Sequence, residues 1–305
     1  MMDFLLKKKK TILVVSLALV AISAAAILIF GFKLGIDFTS GSLWQIKTES
    51  VNEEGLRDFF RDELGIEEMN ISIDPTENIY ALSFREITET ERQGFLVRLR
   101  ERFGNVEDVE FSTISPSISS ELKHKAYLAM TFVLVGISLY IAFVFRNVSE
   151  PIKSWKYGII TLITLMHDVI IPAGLFAILG KLYGVTIDIN FIVAMLFVMG
   201  FSVHDTIVVF DRIRENLASA KEERKRIVLQ EVVDTSIKET VARSINTSLA
   251  LVLVLLVLLF LGPVGTKMFV LAILVGSVAG AYSSIFFASP LLIMAERQVK
   301  NRLST

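Results

Sequence analysis

Apolar residues dominate six stretches of the chain, at 11–32, 126–145, 155–179, 189–210, 245–261 and 268–294. Each comes close to or exceeds the roughly 20 residues that a helix needs to cross a bilayer. The pattern therefore predicts six membrane spans. The first follows a basic run, Lys7–Lys10, and contains Ser23-Ala24-Ala25-Ala26, which has the look of a signal-peptide cleavage site. Its apolar run continues through ILIFGF, too long for the h-region of a signal peptide. An uncleaved anchor is expected.

Between the first two spans the period changes. SGSLWQIKT reads as a strand, and Ser50 with Glu53 three residues on has the spacing of a capping box. The helix it would open places Leu56, Phe59, Phe60 and Leu64 on one side. EMNISID and NIYALSF read as two strands joined by a turn at Pro75–Asn78. Thr88 and Glu91 mark a second helix, with Phe95, Leu99 and Phe103 facing inward, and VEDVEFSTI supplies a last strand. The order β-α-β-β-α-β is that of a ferredoxin-like α+β domain. The expected organisation is 1–32 for the N-terminus and first span, 33–123 for this domain, 124–295 for the other five spans, and 296–305 for a tail.

Composition adds little to the fold but narrows the chemistry. The chain has 305 residues, is 53% hydrophobic and has a mean hydropathy of +0.59, as an integral membrane protein should. Thirty-one basic and 32 acidic residues nearly cancel, and no nucleic-acid partner is expected. Placement of the basic residues is more telling. With the N-terminus in the cytoplasm, Lys7–Lys10, Arg146, Lys153, Lys156, the 212–243 connection and the tail all lie inside, and the short outside loops hold only Lys181 and Lys267. The positive-inside rule then puts both termini in the cytoplasm and residues 33–123 on the export side. The basic runs 7–10 and 221–226 serve as topology signals and can meet anionic lipid. Cysteine is absent, histidine occurs three times and HExxH does not occur. No enzyme, metal site or cofactor is expected.

The informative polar residues lie inside the spans. Thr164, His167 and Asp168 interrupt the third; Asp168 is about 12 residues from its inner end, near mid-bilayer at about 1.5 Å per residue. In the fourth, Ser202, Asp205 and Thr206 share a face by i, i+3, i+4 spacing. Arg243, Asn246 and Thr247 come at a comparable depth at the start of the fifth, where Arg243 can snorkel outward or turn toward Asp205. Two readings stand side by side. In one these groups are hydrogen-bonded glue between helices, which suits His167 well. In the other Asp205 is a protonation site, since an ionisable residue within a span is expensive. Two His-Asp dipeptides do not make a metal site, because adjacent helical residues point about 100° apart. Gly276, Gly280 and Ser284 form a small-residue stripe on the sixth span that allows close helix approach, with a subunit boundary as one place for it.

Two longer motifs carry a resemblance. GFSVHDTIVVFDRIREN at residues 200–216 resembles the fourth-span signature of the SecF family, and GIDFTSGS at 35–42 resembles its GIDFTGG segment. The His167-Asp168 pair and Arg243 also fall where that family places such residues. Ser40 stands where the family commonly has the first of two glycines, and His204 where it often has Asn. The resemblance implies a subunit of the protein-export machinery in a prokaryotic cytoplasmic membrane, related to resistance-nodulation-division transporters. It would pair with SecD beside the SecY channel and use the proton-motive force to draw unfolded preproteins outward. By position Asp205 and Arg243, with Asp168, would couple the proton. Gly35, Ile36, Asp37 and Phe38 would form the junction to the outer domain. The alternatives are a half-exporter of small molecules or lipids with the same proton site, and a non-conducting scaffold of the translocon. An intramembrane hydrolase lacks any nucleophile arrangement.

Overall fold

The computed structural model describes residues 9–74, 78–146, 152–223 and 228–303. The turn expected at Pro75–Asn78 and the basic runs at 7–10 and 221–226 fall at least partly outside these residues. In chain order the elements are α1 (Lys9–Phe30), a single helical turn α2 (Ile36–Thr39), β1 (Gly41–Lys47), α3 (Glu53–Asp62), β2 (Asn70–Asp74), β3 (Ile79–Phe84), α4 (Glu89–Phe103) and β4 (Glu107–Ile114). The long helices α5 (Pro116–Val144), α6 (Ser154–Tyr183), α7 (Ile189–Glu222), α8 (Leu229–Leu261) and α9 (Lys267–Ser283) follow. A five-residue π turn, Ser284–Ala288, then joins α9 to α10 (Ser289–Leu303). Among the described residues, six helical stretches are long and apolar enough to span a membrane. The chain is a multi-pass membrane protein.

Two compact units share these elements. One comprises residues 29–129 and 176–192. Its sheet has the order β2-β3-β1-β4 with all neighbours antiparallel, as two interleaved split-βαβ units require. Trp44, at the centre of β1, pairs with Leu82 on one side and Phe111 on the other. It lies against Phe60 in a core that also buries Ile46, Leu56, Phe84 and Leu99. Its indole N–H still needs a partner, and Asp108 Oδ1 accepts it at 2.8 Å. Arg92 holds the other oxygen of that carboxylate and covers the Phe111 ring.

Local signals were right in kind and sometimes off in place. Helix α3 starts at Glu53, capped by Asn52, whose side chain accepts the Gly55 amide at 2.9 Å; Ser50 is not the cap. Asn is as good an N-cap as Ser, and Asn52 sits nearer the buried Leu56, Phe59 and Phe60. Helix α4 has its full capping box, Thr88 with Glu91. It buries Leu96 and Leu99, while Phe95 and Phe103 pack at the edge of the core. Helix α5 starts at Pro116 rather than near Ala126, because proline suits the first helical position and SELKHK continues the helix.

The other unit comprises residues 1–28, 130–175 and 193–305. Here α7 and α8 run well past the apolar runs. Arg212 bridges to Glu239 at 2.7 Å and to Glu215 at 2.6 Å, and Asn216 reaches Ser236 and Glu239. What reads in sequence as a polar 212–243 connection is largely the paired ends of two helices. Ser23 of α1 is buried against Gly174 of α6, where a Cβ would lie 2.4 Å from the Ser23 backbone. The small residues that resemble a cleavage site thus serve helix packing.

Candidate functional site

Two constellations stand out, one in each unit. The first lies around the GIDFTSGS segment. Gly35 N–H donates to Ile187 O at 2.8 Å and Ile187 N–H to Lys33 O at 2.7 Å, forming a parallel bridge between the chain after α1 and the chain before α7. Asp37 Oδ2 then accepts the Ile189 amide at 2.7 Å, and Asp188 Oδ1 accepts the Phe191 amide at 2.9 Å. Two carboxylates so occupy the first turn of α7, where free N–H groups and the helix dipole favour negative charge. Burial pushes the Asp188 carboxyl up, against the Phe191 and Asn190 hydrogen bonds, and the Asp37 charge adds to the rise.

Nearby, Asn70 of β2 receives Lys33 Nζ at 2.5 Å and donates to Gly184 O at 3.2 Å. Gly184 has φ +72°, and a Cβ there would meet Ile71 O at 2.6 Å. The backbone of the α6–α7 turn can approach β2 this closely only as glycine. Of the predicted junction residues, Ile36 and Phe38 are buried and Gly35 and Asp37 make the bonds just described. Ser40 has φ 64° and ψ 168°, a region that is essentially glycine's. Its side chain bonds the Thr39 carbonyl at 2.5 Å.

The second constellation is the polar interior of the helices. Asp168 on α6 is fully buried. Its Oδ2 accepts Ser202 Oγ of α7 at 2.5 Å and Ser283 Oγ of α9 at 2.7 Å, and its Oδ1 lies 2.8 Å from His167 Nδ1. Asp205 is 3% exposed and has one side-chain partner among the described residues, Ser248 Oγ of α8, at 3.4 Å. Arg243 does not turn toward it. It is exposed and lines a groove of about 360 Å³ with Val208, Asp211, Arg212, Glu215, Glu239 and Thr240. Among the described residues it has no ion-pair partner. The long arginine stem allows either direction, and this chain sends it outward. His167 is buried while His204 is exposed, so the two His-Asp dipeptides do not converge. Asn246 and Thr247 are exposed as well.

The small-residue stripe is explained from within the chain. A Cβ on Gly276 would lie 2.3 Å from Val198 Cγ2, and one on Gly280 would lie 3.2 Å from Ser202 Cβ. The stripe seats α9 on α7. Sequence reasoning missed Ser283 and Ser248. Ser283 sits beside the Ser284 of the stripe, and only the helix packing shows which hydroxyl reaches the carboxylate.

Six spans, one ferredoxin-like domain and carboxylates buried in adjacent spans define the class: a multi-pass membrane protein with ionisable groups in its helix core. Comparison with known proteins supplies the family. Residues 96–298 match the family model "Protein export membrane protein SecD/SecF, C-terminal", and residues 25–50 match the SecD/SecF GG motif. The chain is 39% identical to protein translocase subunit SecF of Thermobaculum terrenum, over 93% of this chain and 90% of that protein. It is 34% identical to protein translocase subunit SecDF of Thermus thermophilus, over 91% of this chain and 36% of that one. The crystal structure of Thermus SecDF, a translocon-associated membrane protein, matches with a TM-score of 0.82 and 32% identity, covering 97% of this chain and 38% of the other. This chain belongs to the SecD/SecF family of protein-export membrane proteins.

Proposed function

We propose that this chain pairs with a SecD partner and couples the proton-motive force to preprotein export, beside a SecY-type channel in a prokaryotic cytoplasmic membrane. Its termini lie in the cytoplasm and its α+β domain on the export side. The family membership supports the export role, and the existence of SecDF as one chain in a relative supports the SecD pairing.

One observation carries the coupling. Among the described residues, Asp205 is buried in a span with a single long hydroxyl contact and no ion pair. A carboxylate kept there without compensation is costly, so its charge state is a lever on helix packing. Asp168 is its buried neighbour across α6 and α7, and Arg243 is the cation that a rearrangement or a partner subunit brings to the site. One elementary charge moved across 100 mV supplies about 2.3 kcal/mol, enough to bias two states a few kcal/mol apart. The clasp at Asp37 then hands motion of α7 to the α+β domain.

Preprotein export by membrane vesicles containing this chain and SecD tests the reading. Asp205→Asn keeps the shape and removes the titration. It is expected to abolish the gradient-dependent part of export while the complex still assembles. If export in the variant responds fully to the gradient, Asp205 is not the coupling residue and a scaffold role takes precedence.

A further inference from the structure

We infer that His167 and Asp168, with Ser202 and Ser283, form a second proton-holding site whose hydrogen bonds rearrange when the proton arrives. The hydroxyls around Asp168 have few hydrogens to give. Asp168 Oδ2 has two hydroxyls at 2.5 and 2.7 Å. Ser283 Oγ has a second acceptor within reach, the Gly280 carbonyl at 3.1 Å, which it would share with Ser284 Oγ at 2.6 Å. A serine has one hydrogen to give. With Asp168 charged, Ser202 and Ser283 both donate to it. With Asp168 protonated on Oδ2, that proton is donated to Ser283, which turns its own hydrogen to Gly280. Rotating one hydroxyl keeps the Asp168 carboxyl hydrogen-bonded in both protonation states.

His167 gives the site an opening. Its Nδ1 faces Asp168 Oδ1 at 2.8 Å, and its Nε2 is buried with no partner among the described residues. A purely structural histidine would be expected to satisfy both nitrogens, since buried polar atoms rarely go unpaired. Here one ring nitrogen is hydrogen-bonded to the carboxylate and the other is buried without a bond among the described residues. The ring stacks on Phe287, 4.6 Å between centroids, within the π turn Ser284–Ala288. Such turns are frequent at functional sites, and this one directly follows the helix end that carries Ser283.

Among the described residues, the titratable neighbours of Asp168 are His167 on its own helix and Asp205 on α7. Helix α9 brings only hydroxyls, and the π turn brings the Phe287 ring. The inference rests on the proposed role of Asp205 only for its place in a transport cycle; the titration of the cluster stands apart from it.

Infrared difference spectroscopy across a pH jump, on the full chain in lipid vesicles, tests this. Two buried carboxylic-acid bands are expected, one lost in Asp168→Asn and the other in Asp205→Asn. Ser283→Ala and His167→Gln are each expected to displace the midpoint of the Asp168 band by about one pH unit, the effect of one hydrogen bond to a charged group. A spectrum unchanged by Asp168→Asn overturns the inference. So does an Asp168 midpoint unmoved in both Ser283→Ala and His167→Gln. Ser283→Ala removes a single hydroxyl and keeps the test open if Asp168→Asn does not fold. A missing Asp205 band beside an intact Asp168 band would sink the proposed function and leave this inference standing.

Discussion

Asp37 and Ile189 are 152 residues apart in the chain, yet the Asp37 carboxylate accepts the Ile189 amide at 2.7 Å. The helix that Ile189 opens is α7, and Asp205 follows 16 residues later on the same helix, about 24 Å along its axis at 1.5 Å per residue. One side chain of the GIDFTSGS segment thus grips the end of the helix that carries the buried carboxylate. Removing the grip frees the first turn of α7, because its N–H groups have no partner within the helix.

Asp37→Ala is therefore expected to cost about 0.5–2 kcal/mol of local stability, the range for a lost N-terminal cap. Hydrogen exchange should show faster opening of the amides at 187–191, while amides deep in α7 stay protected. Asp37→Asn keeps an acceptor oxygen and should fall between wild type and Ala. Equal exchange in Ala and wild type would mean that Asp188 and the Lys33–Ile187 bridge hold the end alone.

Ser40 is expected to improve as glycine. Its φ of 64° and ψ of 168° cost a residue with a side chain about 1–3 kcal/mol. The gain is reduced by about 0.4–1 kcal/mol, because glycine makes the unfolded chain more mobile. The hydrogen bond from Ser40 Oγ to Thr39 O is also lost. Thermal unfolding of the purified chain should rise modestly in Ser40→Gly and fall in Ser40→Val. A drop in Ser40→Gly would show that the local hydrogen bond outweighs the backbone cost.

How much of this was legible follows from the range of each interaction. The spans and the order of strands and helices in the α+β domain rest on periodicity along one element, and both were readable. Ser50–Glu53 and Thr88–Glu91 share one spacing, but only Thr88 is the cap; near Ser50, Asn52 offers an equivalent cap, and core packing selects between them. Asp168 and Asp205 announced themselves as charges among Leu, Ile and Val. Their partners did not: Ser283 lies 115 residues from Asp168 and Ser248 lies 43 from Asp205, and serine is unremarkable in a membrane helix. The direction of Arg243 was open because its stem suits either side.

The seat of α9 on α7 makes a contrast between two glycines. At Gly276 an added methyl meets Val198 at 2.3 Å, but at Gly136 it meets nothing within 4 Å. Gly276→Ala is expected to destabilise by about 1–3 kcal/mol, as overpacking does, and to displace Ser283 from Asp168. Gly136→Ala should be close to neutral. Comparing thermal unfolding of the two in the same detergent checks this. Similar losses in both would mean that the α7–α9 contact yields easily.

The α+β domain should weaken in acid through Glu89. Arg92 Nη2 and Nε bond its two oxygens at 2.5 and 2.9 Å, and Gln93 adds a third bond at 2.8 Å. The Arg92 hydrogen bond, then that of Gln93, holds the Glu89 carboxyl down at about 2, against an ordinary value of 4.5. A carboxyl with a depressed folded value binds its proton more tightly when unfolded. Its stabilisation is complete above about pH 4.5 and is lost as the pH falls toward 2. The effect is small, since the glutamate is exposed and salt screens it. Hydrogen exchange of α4 between pH 5 and pH 2.5 should show progressive loosening in wild type, and Glu89→Gln should flatten that dependence. The lowered carboxyls of Glu91, held by the Thr88 amide, and Asp62, held by Arg61, act in the same direction. Part of the acid sensitivity therefore persists in Glu89→Gln, and only its complete persistence would count against the Arg92–Glu89 pair.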